Sequence, residues 1–454
     1  MNIMKPINLF LFSAFISLVY SASAQNVKSV KLISDVQVTS EGLYFTGEKK
    51  KDFIFGRRIT PHGDCIDVIS GYVFVTWYKG GMDKRNLMLS RKKVDSDTWQ
   101  TIEFPYPHVG FRGNPKVGDS HNRAAIRICP IDETVHVVFD LHGYMKEELP
   151  DRYFSYIVSK PNMAFAEEWT IDNFNTLRTY LREDENYERM TYPEFNRFDD
   201  GRIMVDFRNR GSGNGNDLFS FYDGKGWSKM FQYNNGNQPN KMNYNFYGSF
   251  KFMHGKLYQG GSIRYGLANS DDNFKYDGNN GLFLAYADAP FGNSDWKDIK
   301  GNSIKIPLQN PDVIKVAEPC DINPEKNNVK QPFWTVSISG DVHYLTSVGD
   351  KNVHFYKNAD KNEFLYSTDC PPPGGDILAI GNTILVVTLE NGRPLMKSTP
   401  AGENSWNTLL KETRGDSYHH CNVIFEGNKI FLYAMKKGTG DAQPITLLTY
   451  EVKW

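Results

Sequence analysis

Seven times along this chain a run of strand-forming residues meets a tight turn and doubles back on a second run rich in aromatics. The stretches are "CIDVISGYVFVTWY" around Gly71, "AAIRICPIDETVHVVFDL" around Asp132, "EFNRFDDGRIMVDF" around Asp200 and "SFKFMHGKLYQGG" around Gly255, followed by "FWTVSISGDVHYLTS" around Gly340, "ILAIGNTILVVT" around Gly381 and "NVIFEGNKIFLYAM" around Gly427. Short apolar runs bounded by Gly, Asn and Asp are the signature of β-hairpins. A second marker keeps step with them. Trp99 in "SDTW", Trp169 in "AEEW", Trp227 in "GKGW", Trp296 in "NSDW" and Trp406 in "ENSW" each fall late in their unit, where a third or fourth strand would begin. Units of this size, repeated this often, fit the four-stranded blades of a propeller.

A pair of β-sandwiches would also supply short strands with turns between them. It gives no reason for both the hairpin and the trailing Trp to recur. The chain therefore reads as all-β, a seven-bladed β-propeller forming one domain over residues 25–454. Closure of the ring falls to "VKLISDVQV" near the start and "ITLLTYEVKW" at the end, a pairing that the sequence leaves open.

Residues 1–24 read as an export signal. Lys5 supplies the positive start, Leu9 to Tyr20 the apolar run, and Ala22-Ser23-Ala24 the small-residue cleavage site. A secreted or periplasmic protein is expected. No later stretch approaches the roughly 20 apolar residues that span a bilayer, so no membrane insertion is expected. The formal net charge is -1 with both signs interspersed, which gives no field for nucleic acid. An anionic ligand must be held by a local cluster, and a monomer is expected. The five cysteines, Cys65, Cys129, Cys320, Cys370 and Cys421, are scattered without a CxxC. Their odd number argues against a full disulfide framework.

In a propeller the loops leading into the first strand of each blade surround one mouth of the central channel. Here those segments include "PHGDC", "GDSHNR", "RMTYPEF", "NYNFYGSF", "CPPPGGD" and "SYHHC". His121 opens blade two and Tyr192 opens blade three. His142 in "FDLHGYM" and Arg208 in "MVDFRNRGSGNGND" follow the second strands of those blades. Each alone reads equally as a turn or packing residue. Together they offer an imidazole and a phenol for proton transfer, with a guanidinium and a second imidazole to face an anion. Arg123, Tyr144, Arg210, Tyr244 and Tyr247 stand around the same mouth as candidates for stacking on a ligand or contacting an anion.

No nucleophile elbow, phosphate loop or HExxH is present, and complete Asp-box repeats are missing. A glycosidase needs two suitably spaced carboxylates. Asp67, Glu194, Asp206 and Asp376 are available, but nothing marks a pair.

"TPHGDCIDV", "VTWYKGG", "GDSHNRAAI", "DLHGY" and "YPEFNRFDDGRIMVDFRNRGSGNGND" together resemble the BNR-repeat propellers that include the ulvan lyases. The resemblance is distinctive from about residue 60 to 220 and continues mainly as blade rhythm. It implies β-eliminative cleavage of an acidic, sulfated polysaccharide at a uronate, with His121, His142, Tyr192 and Arg208 as catalytic residues and no organic cofactor. It also implies a structural zinc ion, for which Cys320, His420 and Cys421 are the candidate ligands, thiolate and imidazole being suited to tetrahedral zinc. On this reading His121 or Tyr192 removes the proton, and Arg208 lowers the Tyr192 pKa by favouring the phenolate. A noncatalytic glycan-binding propeller and a sialidase-like hydrolase are the alternatives.

Overall fold

The computed structural model describes residues 26–454 except 47–48, 55, 82–84, 239–242, 267–278 and 323–327, and leaves out the side chains of Lys50, Cys320 and Asp321. The export signal over residues 1–24 lies outside the described residues. Seven antiparallel sheets are arranged as the blades of a propeller. Their first strands are Ile66–Ile69, Ala124–Cys129, Met190–Arg197, Tyr244–Met253, Phe333–Val336, Asp376–Ile380 and Tyr418–Glu426. Every one of the seven hairpins foreseen from sequence begins a blade.

The blades differ at their outer edges. Blade two has three strands, and isolated bridges Tyr156 to Arg178 and Ser159 to Phe174 take the place of the fourth. Blade four gains a fifth, Lys315–Ala317, paired with Asn279–Ala287. Blade seven takes its outermost strand from the opposite end of the chain: Ser29–Leu43 runs antiparallel to Ala442–Lys453, with Val36 opposite Leu447. That pairing closes the ring with main-chain hydrogen bonds and fixes which residues begin and end the circle.

The trailing tryptophans explain their own recurrence, because each begins or replaces the fourth strand of its blade and packs against the blade before it. Trp169 lies 5.9 Å from the Phe74 ring and beneath the Arg91 guanidinium at 4.0 Å, both in blade one. Trp227 donates to the Tyr156 hydroxyl of blade two at 3.1 Å. Trp296 is enclosed by Phe219, Tyr233 and Phe250 between blades three and four. Trp406 meets His354 of blade five at 5.0 Å, and Trp99 packs on the cluster that contains Phe431 and Tyr433 of blade seven. Large flat side chains fill the wedge that opens between radiating sheets, where each can bury most of its area.

Toward the axis the sheets are joined by charge. Asp67 is fully buried and accepts from Arg127 at 2.9 Å, from Arg197 at 3.0 Å and from the Ile128 amide at 2.9 Å. Asp64 accepts from Arg127 and from the Phe195 amide at 2.8 Å. Blades one, two and three are thereby tied together, and Asp67 has no oxygen to spare for chemistry. Removing one partner of a buried ion pair leaves the other charged and dry. Asp67→Ala is accordingly expected to lower stability by about 3–5 kcal/mol in denaturant unfolding. A loss below about 1 kcal/mol, typical of exposed pairs, would contradict the buried-network account.

Candidate active site

The loop before blade two is held by its own side chains. Asp119 accepts from the His121 amide at 3.0 Å, a turn that Asp forms readily with the residue two further on. Asn122 donates to the Gly110 carbonyl at 2.6 Å and to the Tyr144 hydroxyl at 2.8 Å. The loop thus presents His121 in a fixed direction. Its ring nitrogen Nδ1 lies 2.7 Å from one Asp119 oxygen, and His142 Nδ1 lies 2.5 Å from the other. The two imidazoles stack with centroids 3.8 Å apart and planes 4° from parallel.

Tyr192 is aimed by an irregularity in its strand. In the pairing of blade three, Thr191 opposes Arg208 and Glu194 opposes Asp206, so Tyr192 and Pro193 together face Phe207. Proline cannot donate to the ladder, and a bulge of two residues against one redirects a side chain. The backbone of Tyr192 is left-handed, with φ 58°, a conformation that costs about 1–2 kcal/mol for a residue bearing a Cβ. The ring that results lies 5.1 Å from His121 and between two guanidiniums, Arg208 at 4.6 Å and Arg123 at 5.1 Å. Glycine makes room for both arginines. A Cβ on Gly63 would come 2.1 Å from Arg123 Cδ, and one on Gly215 would come 2.9 Å from Arg208 Cγ and Cδ.

These residues line one cavity of about 220 Å³, joined by His62, Glu194, Asp206, Asp217, Tyr247 and Gln331. It draws on blades one to five and sits off the axis, so the loops of blades six and seven do not share in it. Arg123 is committed to Glu194 at 2.8 Å. The Arg208 guanidinium makes no hydrogen bond or ion pair among the described residues, and its Nε is buried without a partner. A guanidinium with unspent donors in a half-closed cavity is a receptor for an anion.

Burial sets the protonation states here. It holds the His121 pKa down to about 4, helped by His142 and Arg208 and opposed by Asp119. Burial also raises the pKa of Tyr192, and the nearby Arg208 and Arg123 do not overcome it. The expected phenolate is therefore corrected: Tyr192 keeps its proton near neutral pH. Asp217 is pushed up to about 7 by burial, with Glu194 adding to the rise and Arg208 opposing it. Burial, together with Glu194 and Asp217, lifts Asp206 well above the usual carboxylate range.

Of the four residues expected to act together, His121, Tyr192 and Arg208 line the cavity, and His142 does not line it but stacks on His121. The expected sugar contacts divide. Arg123 and Tyr247 line the cavity, but the Tyr247 ring is covered on one face by Arg264 at 3.9 Å, and its hydroxyl contacts Arg264 and Ser212. Tyr144 is buried and donates to the Gly110 carbonyl at 3.0 Å. Tyr244 is buried and donates to the Leu308 carbonyl at 2.8 Å. Both are packing residues, because each hydroxyl is spent on a main-chain acceptor inside the fold. Arg210 is exposed and does not line the cavity. From the sequence His62 stands only in the segment that opens blade one, and Asp119 and Gln331 carry no role; Asp119, two residues before a histidine, has a local signal, that of an Asp turn.

Among the described residues, the expected metal ligands His420 and Cys421 are not joined by a third ligand atom. Among the described residues only Asp119, His121 and His142 bring three ligand atoms within 4.8 Å of one another. Their separations of 2.7 and 2.5 Å are those of hydrogen bonds, whereas two ligands of one tetrahedral zinc stand about 3.3 Å apart. Burial pushes the Cys421 thiol up to about 12, and the residue packs on an apolar cluster. His420 is buried with both ring nitrogens lacking a partner, as a ligand would be. The Cys320 side chain lies outside the described residues.

Fold and site together define a β-propeller whose mouth gathers an imidazole, a phenol and a guanidinium with unspent donors. The sequence profile of the BNR repeat-containing family matches residues 72–368, and the chain belongs to that family. It is 32% identical to the short isoform of ulvan lyase from Alteromonas sp. (strain LOR), over 94% of this chain and 91% of that protein. It is 34% identical to the long isoform from Glaciecola sp. (strain KUL10), over 98% of this chain. The chain spans 49% of the length of that long relative. The crystal structure of polysaccharide lyase Uly1 superposes with a TM-score of 0.85 at 28% identity, covering 93% of this chain and 99% of that one.

A histidine with a pKa near 4 stays neutral across the working range of most enzymes. Followed by NMR, the His121 ring is expected to titrate close to that value. A midpoint above 6 would show that Asp119 outweighs burial.

Proposed function

We propose that the chain is a polysaccharide lyase that cleaves ulvan by β-elimination, breaking the C4–O bond on a uronate. The observation that carries this is the state of three side chains in one cavity: a neutral imidazole, a protonated phenol and an arginine with unspent donors. The names of the relatives support the substrate.

The chemistry asks for those three groups. The C5 proton of a uronate is weakly acidic, and its removal builds charge on the neighbouring carboxylate, which a fixed cation must stabilise. Arg208 takes that place, with His142 beside it. His121 accepts the C5 proton on Nε2, because its Nδ1 is held by Asp119. Tyr192 gives its proton to the departing O4, the bond to C4 breaks, and a double bond forms between C4 and C5. Proton-transfer groups of this kind contribute about 10²–10⁴-fold each. His420 is the expected metal ligand whose buried, unpartnered nitrogens suit a zinc ion, which would hold blade seven rather than touch the sugar.

Elimination creates an unsaturated uronate that absorbs in the ultraviolet, hydrolysis gives reducing ends without it, and a binding module gives neither. Incubation with ulvan is expected to raise ultraviolet absorbance and reducing ends together. Tyr192→Phe is expected to lower kcat at least about 100-fold with KM changed little. Reducing ends without absorbance would replace the lyase by a hydrolase. Wild-type turnover in the variant would remove Tyr192 from the mechanism.

A further inference from the structure

Asp119 is the most completely enclosed charged group at the mouth. Its side chain is fully buried, yet it is held ionised, because hydrogen bonds and charge from His121 and His142 outweigh the burial that opposes ionisation. One oxygen takes His121 Nδ1 and the His121 amide, and the other takes His142 Nδ1. The carboxylate does not line the cavity. Of the two imidazoles it holds, that of His121 lines the cavity and that of His142 stacks on it.

We propose that Asp119 is a positioning residue that fixes both histidines in the same tautomer, with Nδ1 carrying the proton that faces the carboxylate and Nε2 turned away from it. The physical basis is the poverty of a carboxylate as a partner: ionised, it accepts and cannot donate. Both rings must therefore offer it an N–H. The stack reinforces the constraint, since two rings 3.8 Å apart and nearly parallel cannot turn over independently. A single buried charge thus orients two catalytic side chains, one from the loop before blade two and one from the loop after its second strand. The same division of labour, a buried carboxylate holding an imidazole in its working tautomer, operates in the serine protease triad, where the amide variant loses about 10⁴-fold in kcat.

The inference rests on the lyase reading for its effect on turnover, but not for its spectroscopic signature. Asparagine keeps one acceptor and substitutes a donor for the second. In Asp119→Asn one histidine is expected to keep the proton on Nδ1, while the other, facing the new NH₂ group, must accept on Nδ1 and carry its proton on Nε2.

Nitrogen-15 NMR of selectively labelled histidine reads both states. In the wild-type protein both His121 and His142 are expected to show a protonated Nδ1 with a strongly deshielded proton. In Asp119→Asn one of the two is expected to change tautomer, with kcat on ulvan falling between about 100-fold and 10⁴-fold and KM altered much less. A wild-type spectrum with either ring protonated on Nε2 alone would overturn the proposal, and so would a folded Asp119→Asn variant with unchanged tautomers. Because the wild-type spectrum needs no substitution, poor folding of the variant does not remove the test. If ulvan is not cleaved by wild-type protein, the lyase reading fails, while the tautomers still decide the role of Asp119.

Discussion

Closure of the ring is the constraint from which the rest follows. An open row of seven sheets packed face to face leaves an apolar face uncovered at each end. Joining Ser29–Leu43 to Ala442–Lys453 ties the start of the chain to its last blade, and the faces of blades one and seven then cover each other. Once the circle is closed, the wedges between sheets must be filled, and the recurring tryptophans fill them. The first strands are then forced around one axis. Loops from five blades are drawn to a common mouth, although His62 and Gln331 stand far apart in the sequence.

Two kinds of buried charge coexist on this frame, and their difference separates structure from chemistry. Asp67 is satisfied by two arginines and an amide, so it binds blades together and is otherwise inert. In the candidate site the Arg208 guanidinium lacks a hydrogen bond and Asp206 leaves Oδ1 unpartnered, a cost that a folded protein tolerates where a ligand supplies the missing partner. The strained backbone of Tyr192 belongs to the same pattern. Burial, more than any neighbouring charge, decides that His121 is unprotonated and Tyr192 protonated, and so decides the direction in which a proton can move between substrate and protein.

Much of the fold was legible because it is written locally. A hairpin needs only two apolar runs and a turn, and the seven turns stand in plain view. The tryptophans were readable as markers of the repeat, although not as wedges. Of the site, His121, His142, Tyr192 and Arg208 could be placed by blade register, which depends on strand order alone. What the sequence hid depends on depth. Tyr144 and Tyr247 look alike in the chain, yet Tyr144 is buried with its hydroxyl spent on the Gly110 carbonyl, whereas Tyr247 lines the cavity. The Tyr192 pKa was misjudged because a neighbouring arginine can be inferred from register, whereas the extent of burial cannot. Asp217 faces the cavity through its pairing with Arg208 across a glycine-rich turn, a relation fixed only once the strands are aligned.

On the lyase reading this cavity removes a proton and expels a sugar oxygen without adding water. Mass spectrometry of the fragments from a defined ulvan oligosaccharide tests this most directly. Elimination gives pairs of fragments whose masses sum to that of the parent, one of each pair ending in an unsaturated uronate. Pairs that together exceed the parent by one water would contradict it.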